Sequence, residues 1–204
     1  MTRRTPAPGS AAPAPIPWFD AEPGRLIRDR AEVAAFAPAL VYVEPDHDTA
    51  QILPHGGWIG ELPRWPFERP APEGIDGLLG TVPFTVGVAY LAAYPMVPPV
   101  IYPLEPKPTL QQRTQSAWHV APDGSLCLLR SIGAWHPEAS ITELLAKAAG
   151  WRVEYALMCA EVIEEMTVSG IVSDPRLDDL VTATAQTHSA TNNTDDQDRA
   201  DEPR

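Results

Sequence analysis

The sequence predicts an α+β domain: an antiparallel meander of about four strands, with a helix before it and a long helix after it. Three observations carry this expectation. Strand-like stretches follow one another between residues 40 and 102, and helical patterns flank them, the order that marks α+β rather than α/β. Apolar residues keep helical spacing from 141 to about 167. The chain has 24 prolines in 204 residues, which excludes many long helices and favours extended segments joined by turns.

Residues 1–17 read as a disordered Pro/Ala-rich tail. From Phe19 to Phe36 a weak helical spacing of Leu26, Ile27, Val33 and Phe36 runs until Pro38 stops it. Leu40-Val41-Tyr42-Val43 reads as the first strand, and Pro45-Asp46-His47-Asp48 as a turn. Short strands are expected around Ile52-Leu53 and Trp58-Ile59, split by Gly56-Gly57, and residues 63–80 form a Pro/Gly-rich connection. Val82, Phe84, Val86, Val88 and Tyr90 alternate at period two, the clearest strand in the chain. Tyr94-Pro95-Met96-Val97-Pro98-Pro99 turns the chain rigidly, because each proline fixes its own φ. Val100-Ile101-Tyr102 is the next strand, and residues 103–116 read as a loop.

Ser140-Ile141-Thr142-Glu143 has the form of a capping box. The helix it starts carries Ile141, Leu144, Leu145, Ala148, Tyr155, Met158, Val162, Ile163 and Met166, with Gly150 as a candidate interruption. Ser169-Gly170 and Asp174-Pro175 end it. Residues 173–204 read as a disordered acidic tail, so the folded domain is expected to span 18–172. There are no internal repeats.

The formal charge is −12. Eight acids and three arginines give residues 173–204 a net −5, which leaves −7 on residues 1–172. An acidic domain argues against nucleic acid or an anionic membrane surface as a partner. No run of about 18 apolar residues is present to span a membrane. Arg3-Arg4 is followed by Pro, Ala and Gly rather than by an apolar segment, so it does not read as an export signal. Two cysteines without such a signal point to free thiols in the cytoplasm.

The chemistry concentrates in residues 117–137, AWHVAPDGSLCLLRSIGAWHP. Cys127 follows an Asp123-Gly124 turn that would expose a thiol, and His119, His136, Trp118 and Trp135 share the same window. The plain alternative is a buried cysteine packed as a small hydrophobe. A hydrolase pairing Cys127 with His119 or His136 is a second alternative. Three ligands from His119, Cys127 and His136 lack a standard zinc spacing and a fourth partner, so no metal or cofactor is expected. The two tryptophans read as packing for this loop, and Cys159, four residues from Tyr155 and from Ile163, as core.

These motifs resemble those of ubiquitin-conjugating enzymes. Tyr94, Pro95, Pro98 and Pro99 match a Tyr-Pro-x-x-Pro-Pro signature that follows the third strand of that family's meander. Gly124-Ser125-Leu126-Cys127-Leu128 and Trp135-His136-Pro137 match its Gly-x-Ile-Cys-Leu and Trp-x-Pro, and the intervals from Gly to Cys and from Cys to Trp match without a gap. Ala117-Trp118-His119 aligns with the family's His-Pro-Asn, so His119 stands in place of the Asn. The similarity covers residues 81–148 well and residues 20–80 by element order, and the chain after Gly150 is closer to prokaryotic members. The resemblance implies a ubiquitin-conjugating-like catalytic domain over 18–172. Cys127 would take a ubiquitin-like modifier as a thioester from a ThiF-like activating enzyme and pass it to an acceptor amine. The setting it implies is a bacterial conjugation system, antiviral defence among them. His119 would donate to the oxyanion, help deprotonate the amine, or only hold the loop. His136, Trp135 and Asp123 would contact the acceptor or the loop. A non-catalytic module that binds the modifier through the same fold is the alternative within this resemblance.

Overall fold

The computed structural model describes residues 16–45, 53–168, 170–172 and 175–187. The tail expected at 1–17 therefore lies almost wholly outside the described residues, as do the turn at 46–48 and Ile52. Two helices, α1 (Trp18–Ala21) and α2 (Pro23–Phe36), precede the sheet. Strands β1 (Leu40–Val43), β2 (Gly57–Glu61), β3 (Thr85–Ala89) and β4 (Val100–Glu105) pair antiparallel in chain order. Helix α3 (Ile75–Leu79) lies between β2 and β3, α4 (Leu110–Arg113) follows β4, and α5 (Ile141–Cys159) closes the central core. A further helix, α6, spans 177–187. The α+β class and the four-strand meander are thus both present, and no helix among the described residues is long and apolar enough to cross a membrane.

The period-two pattern builds the inner face of the sheet. Tyr42, Trp58, Val88 and Ile101 stand in register across the four strands, with Leu40, Gly60, Val86 and Pro103 in the next row. Val86, Val88 and Tyr90 are fully buried, while Val82, before the strand, is exposed. Leu53 does not extend a strand: its carbonyl accepts from Gly56 N–H at 3.0 Å in a turn that feeds β2. Residues 103–116 are not only loop. β4 continues to Glu105, and Thr109 and Gln112 form a reciprocal capping box at the start of α4, which satisfies two amides that a short helix leaves open.

Helix α2 starts with Pro23 in its first turn and ends before Pro38, both consistent with what proline does to its own φ and to the preceding residue. The stripe it buries is Arg25, Asp29 and Val33, at spacing i, i+4, i+8. Ile27, one of the apolar residues that suggested the helix, is 70% exposed. The core-facing stripe is largely ionic, so an apolar count looks at the wrong side.

Helix α5 begins as expected, although Ser140 Oγ accepts from Thr142 N–H and donates to Glu32 of α2 at 2.6 Å. It ends at Cys159 rather than near 167, since Ala160 caps it and Glu161 takes a positive φ of 57°. Gly150 does not interrupt it. A Cβ there would meet Val172 Cγ2 at 3.0 Å and Ile171 Cγ2 at 3.1 Å, so the missing side chain admits the returning chain. The helix is buried on two faces. One packs Ile141, Leu145, Ala148, Trp151 and Tyr155 into the sheet core. The other packs Val153, Ala156 and Leu157 with α3, Ile171 and α6.

Two further expectations are corrected. Cys159 is exposed, because it lies on the last turn, beyond the residues that cover either buried face. The boundary at 173 is also too early. Val181 and Ala185 are fully buried and Leu177 nearly so, and Asp178 takes a two-pronged contact from Arg69 at 2.7 and 3.0 Å. The folded chain continues through 187, and residues 188–204 lie outside the described residues.

Candidate active site

The sheet positions Cys127 through a hairpin hung on β4. Leu126 N–H donates to Ile101 O of β4 at 2.8 Å, and Leu126 bridges Val120. Between them Ala121 N–H donates to Ser125 O and Gly124 N–H to Ala121 O, each at 2.8 Å. Pro122, Asp123 and Gly124 thus form a three-residue hairpin loop, with Gly124 at φ 92° as the left-handed residue that closes such loops. Asp123 Oδ1 accepts from Ser125 N–H at 3.0 Å and from Ser125 Oγ at 2.7 Å. Those bonds hold its carboxyl below the usual carboxylate range.

Cys127 follows directly and is exposed. Its N–H donates to His119 O at 2.8 Å, which ties the two sequence-selected residues together through the backbone. His119 is in the left-handed region, at φ 47° and ψ 41°, which few non-glycine residues adopt. The protein packed around the thiol, and secondarily the Asp123 charge, push the Cys127 thiol above its ordinary range.

Cys127 lines two cavities. One, of about 310 Å³, is also lined by His119, Arg130, Lys147, Trp151 and Glu154. The other, of about 360 Å³, is lined by Pro98, Pro99, Ile101, Leu128 and Leu129. The first offers charge and the second is apolar. A further wall of the first is the returning chain, at Met166, Thr167, Val168 and Gly170. That wall is fastened from below by Glu154, which is 2% exposed. Its carboxylate accepts from Thr167 N–H and Ile171 N–H, each at 2.6 Å, and from Thr167 Oγ1 at 3.0 Å. Burial raises the Glu154 carboxyl above its ordinary range against those bonds, and a positive charge on His119 would lower it.

The remaining sequence-selected residues are structural or apart. Trp135 is buried and donates its indole N–H to Pro95 O at 2.8 Å. Trp118 packs edge-on against Tyr155, and its carbonyl accepts from Trp151 Nε1 at 2.9 Å. His136 is exposed, lines neither cavity beside Cys127, and offers its carbonyl to Ala139 N–H. Tyr94 is buried in an ionic network. Its hydroxyl donates to Asp29 Oδ2 at 2.6 Å and accepts from Arg25 Nε at 2.6 Å, and Tyr90 OH donates to the same Asp29 oxygen at 2.9 Å. Arg25 Nε also lies 2.9 Å from Asp29 Oδ1. Among the described residues that oxygen has no aligned donor, so the contact is ionic rather than a hydrogen bond. The other Arg25 nitrogens donate to Pro137 O at 2.6 Å and Ala139 O at 2.8 Å, which anchors the loop after Trp135 to α2.

Sequence reasoning missed Glu154, Lys147 and Arg130. An acid set inside the otherwise apolar run from Val153 to Met158 was the available signal for Glu154. No family model matches this chain, and no curated protein sequence matches it.

Proposed function

We propose that this protein is a thioester carrier of the ubiquitin-conjugating type. Cys127 accepts a ubiquitin-like modifier from a ThiF-like activating enzyme and passes it to an amine. The observation that carries this reading is that the exposed Cys127 lines both a charged and an apolar cavity. An acyl group on that sulfur has room on one side for its own chain and on the other for an acceptor. The meander, the Tyr94–Pro99 turn and the helix after the thiol support the reading by their order.

The thiol's electrostatics also favour a carrier over a hydrolase. A cysteine that attacks unactivated amides is kept as a thiolate by positive neighbours. Here burial and Asp123 act in the opposite direction. A raised thiol still exchanges with an incoming thioester, because one thioester replaces another and a small thiolate fraction suffices. His119, which lines the charged cavity with Cys127, donates in this reading to the oxyanion when the amine attacks.

The test is intact-protein mass after mixing the chain with its activating enzyme, the ubiquitin-like partner and ATP. The expected result is a mass increase equal to the modifier that dithiothreitol removes and Cys127→Ala abolishes. A charged activating enzyme with no adduct here would sink the carrier reading and leave a modifier-binding module.

A further inference from the structure

The charged cavity beside Cys127 contains a lysine, and lysine is scarce in this chain. There are two, Lys107 and Lys147, against thirteen arginines. A guanidinium stays protonated and is no acyl acceptor at neutral pH, so the chain carries few amines able to intercept an acyl group. Lys107 is exposed between two prolines. Lys147 is half-buried, on the α5 stripe Lys147, Trp151, Glu154 that lines the same cavity as Cys127 and His119. Among the described residues no hydrogen bond or ion pair engages the Lys147 side chain. Glu143, four residues before Lys147 on the same face, makes no ion pair among the described residues, and Glu154, seven residues after it, is already committed to Thr167 and Ile171.

We infer that Lys147 is an internal acceptor: an acyl group carried on Cys127 moves to Lys147 Nζ and remains there as an amide. This rests on the reading of Cys127 as an acyl carrier and goes beyond it by assigning a modification site. The neutral amine attacks the thioester carbonyl carbon. A C–N bond forms, the C–S bond breaks, and Cys127 leaves as a thiolate. The proton lost by the amine passes to that thiolate, directly or by way of the His119 ring, so Cys127 ends as a free thiol and no further reactant is consumed. The shared cavity makes the step intramolecular, and such placement gives large rate advantages over amines in solution. The outcome is a carrier that acylates itself and stays marked when no external acceptor arrives.

The experiment needs no partner protein. The full chain is treated with N-acetylglycine thiobenzyl ester, a small thioester ending in the glycyl carbonyl. Acylated positions are then mapped by peptide mass, with and without hydroxylamine, which cleaves thioesters and spares amides. The expected course is acyl on Cys127 first, then hydroxylamine-resistant acyl on Lys147 at least about tenfold above Lys107. Cys127→Ala should remove the Lys147 product, and Lys147→Arg should lengthen the life of the Cys127 thioester severalfold. Wild-type mapping decides alone if either variant fails to fold. Acylated Cys127 with Lys147 no more modified than Lys107 overturns the inference and leaves the carrier reading standing. Lys147 modified equally in Cys127→Ala overturns it as well, since the amine then reacts directly. A Cys127 that is never acylated overturns both.

Discussion

At the scale of the residue, the reactivity of Cys127 is set by what surrounds its sulfur. Burial is the larger cause of its raised thiol and the Asp123 carboxylate the second. Asp123→Asn separates the two, because the amide oxygen still accepts from Ser125 and keeps the turn while the charge is gone. Losing a nearby negative charge favours the thiolate, so the thiol titrates lower. Alkylation by iodoacetamide at pH 7.5 should accelerate by about two- to threefold, a modest gain because the carboxylate is solvent-screened. An unchanged rate would mean that Asp123 serves only the hairpin. Asp123, Gly124 and Cys127 were legible because a turn signature and a thiol are local features. Glu154 and Lys147 were not, since one charged residue on a helix ordinarily marks a solvated face. Only the returning chain, folded over α5, turns that face into a cavity wall.

At the scale of the element, α2 acts as the bracket of the site loop. Its buried face presents Arg25, which joins Asp29 and Tyr94 to the carbonyls of Pro137 and Ala139. Arg25→Met fills similar space but leaves Asp29 uncompensated and two carbonyls without their donor. The expected loss is about 3–5 kcal/mol at pH 7, read from the urea midpoint. Its pH dependence has a definite sign. Burial already holds the Asp29 carboxyl above its ordinary range. The stability tied to its neutral form is therefore full below the ordinary carboxylate range and is lost as pH rises through the raised folded value. Without Arg25 that value rises further, so the deficit should be smaller near pH 4 and larger at pH 7. A deficit that shrinks with rising pH would show that Arg25 does not compensate Asp29. The helix itself was legible from Pro23 and Pro38, but its buried face was not, because periodicity arguments count apolar residues and this stripe is charged. The strands carried the opposite lesson: their inner rows are apolar at period two, and β1, β3 and the start of β4 were found to within a few residues.

At the scale of the whole molecule, the chain after 159 is what makes the site a cavity. It turns at Glu161 and passes Met166, whose N–H donates to Ala117 O at 3.0 Å. Glu154 then fastens it at Thr167 and Ile171, and α6 covers the outer side of Ile171. The acidic composition beyond 173 hid this helix, although Leu177, Leu180 and Val181 already keep helical spacing. Two of these, Leu177 and Val181, are buried against α3 and the back of α5. Ending the chain after Val172 removes both, together with Asp178, the carboxylate that Arg69 grips while it also donates to Ile171 O at 2.7 Å. Each large apolar side chain contributes about 1.5–3 kcal/mol by burial, so the truncated chain should lose roughly 3–6 kcal/mol, a large share of a usual domain's 5–15 kcal/mol. Its melting temperature should fall and it should bind a hydrophobic dye at the face that α6 covered. The cavity wall formed by the returning chain loses its outer support at the same time, so Cys127 alkylation should quicken in the truncated chain as the burial that raises its thiol is relaxed. An equal melting temperature with unchanged alkylation would show that α6 is an appendage. A lower melting temperature with unchanged alkylation would show that Glu154 alone suffices to hold the wall.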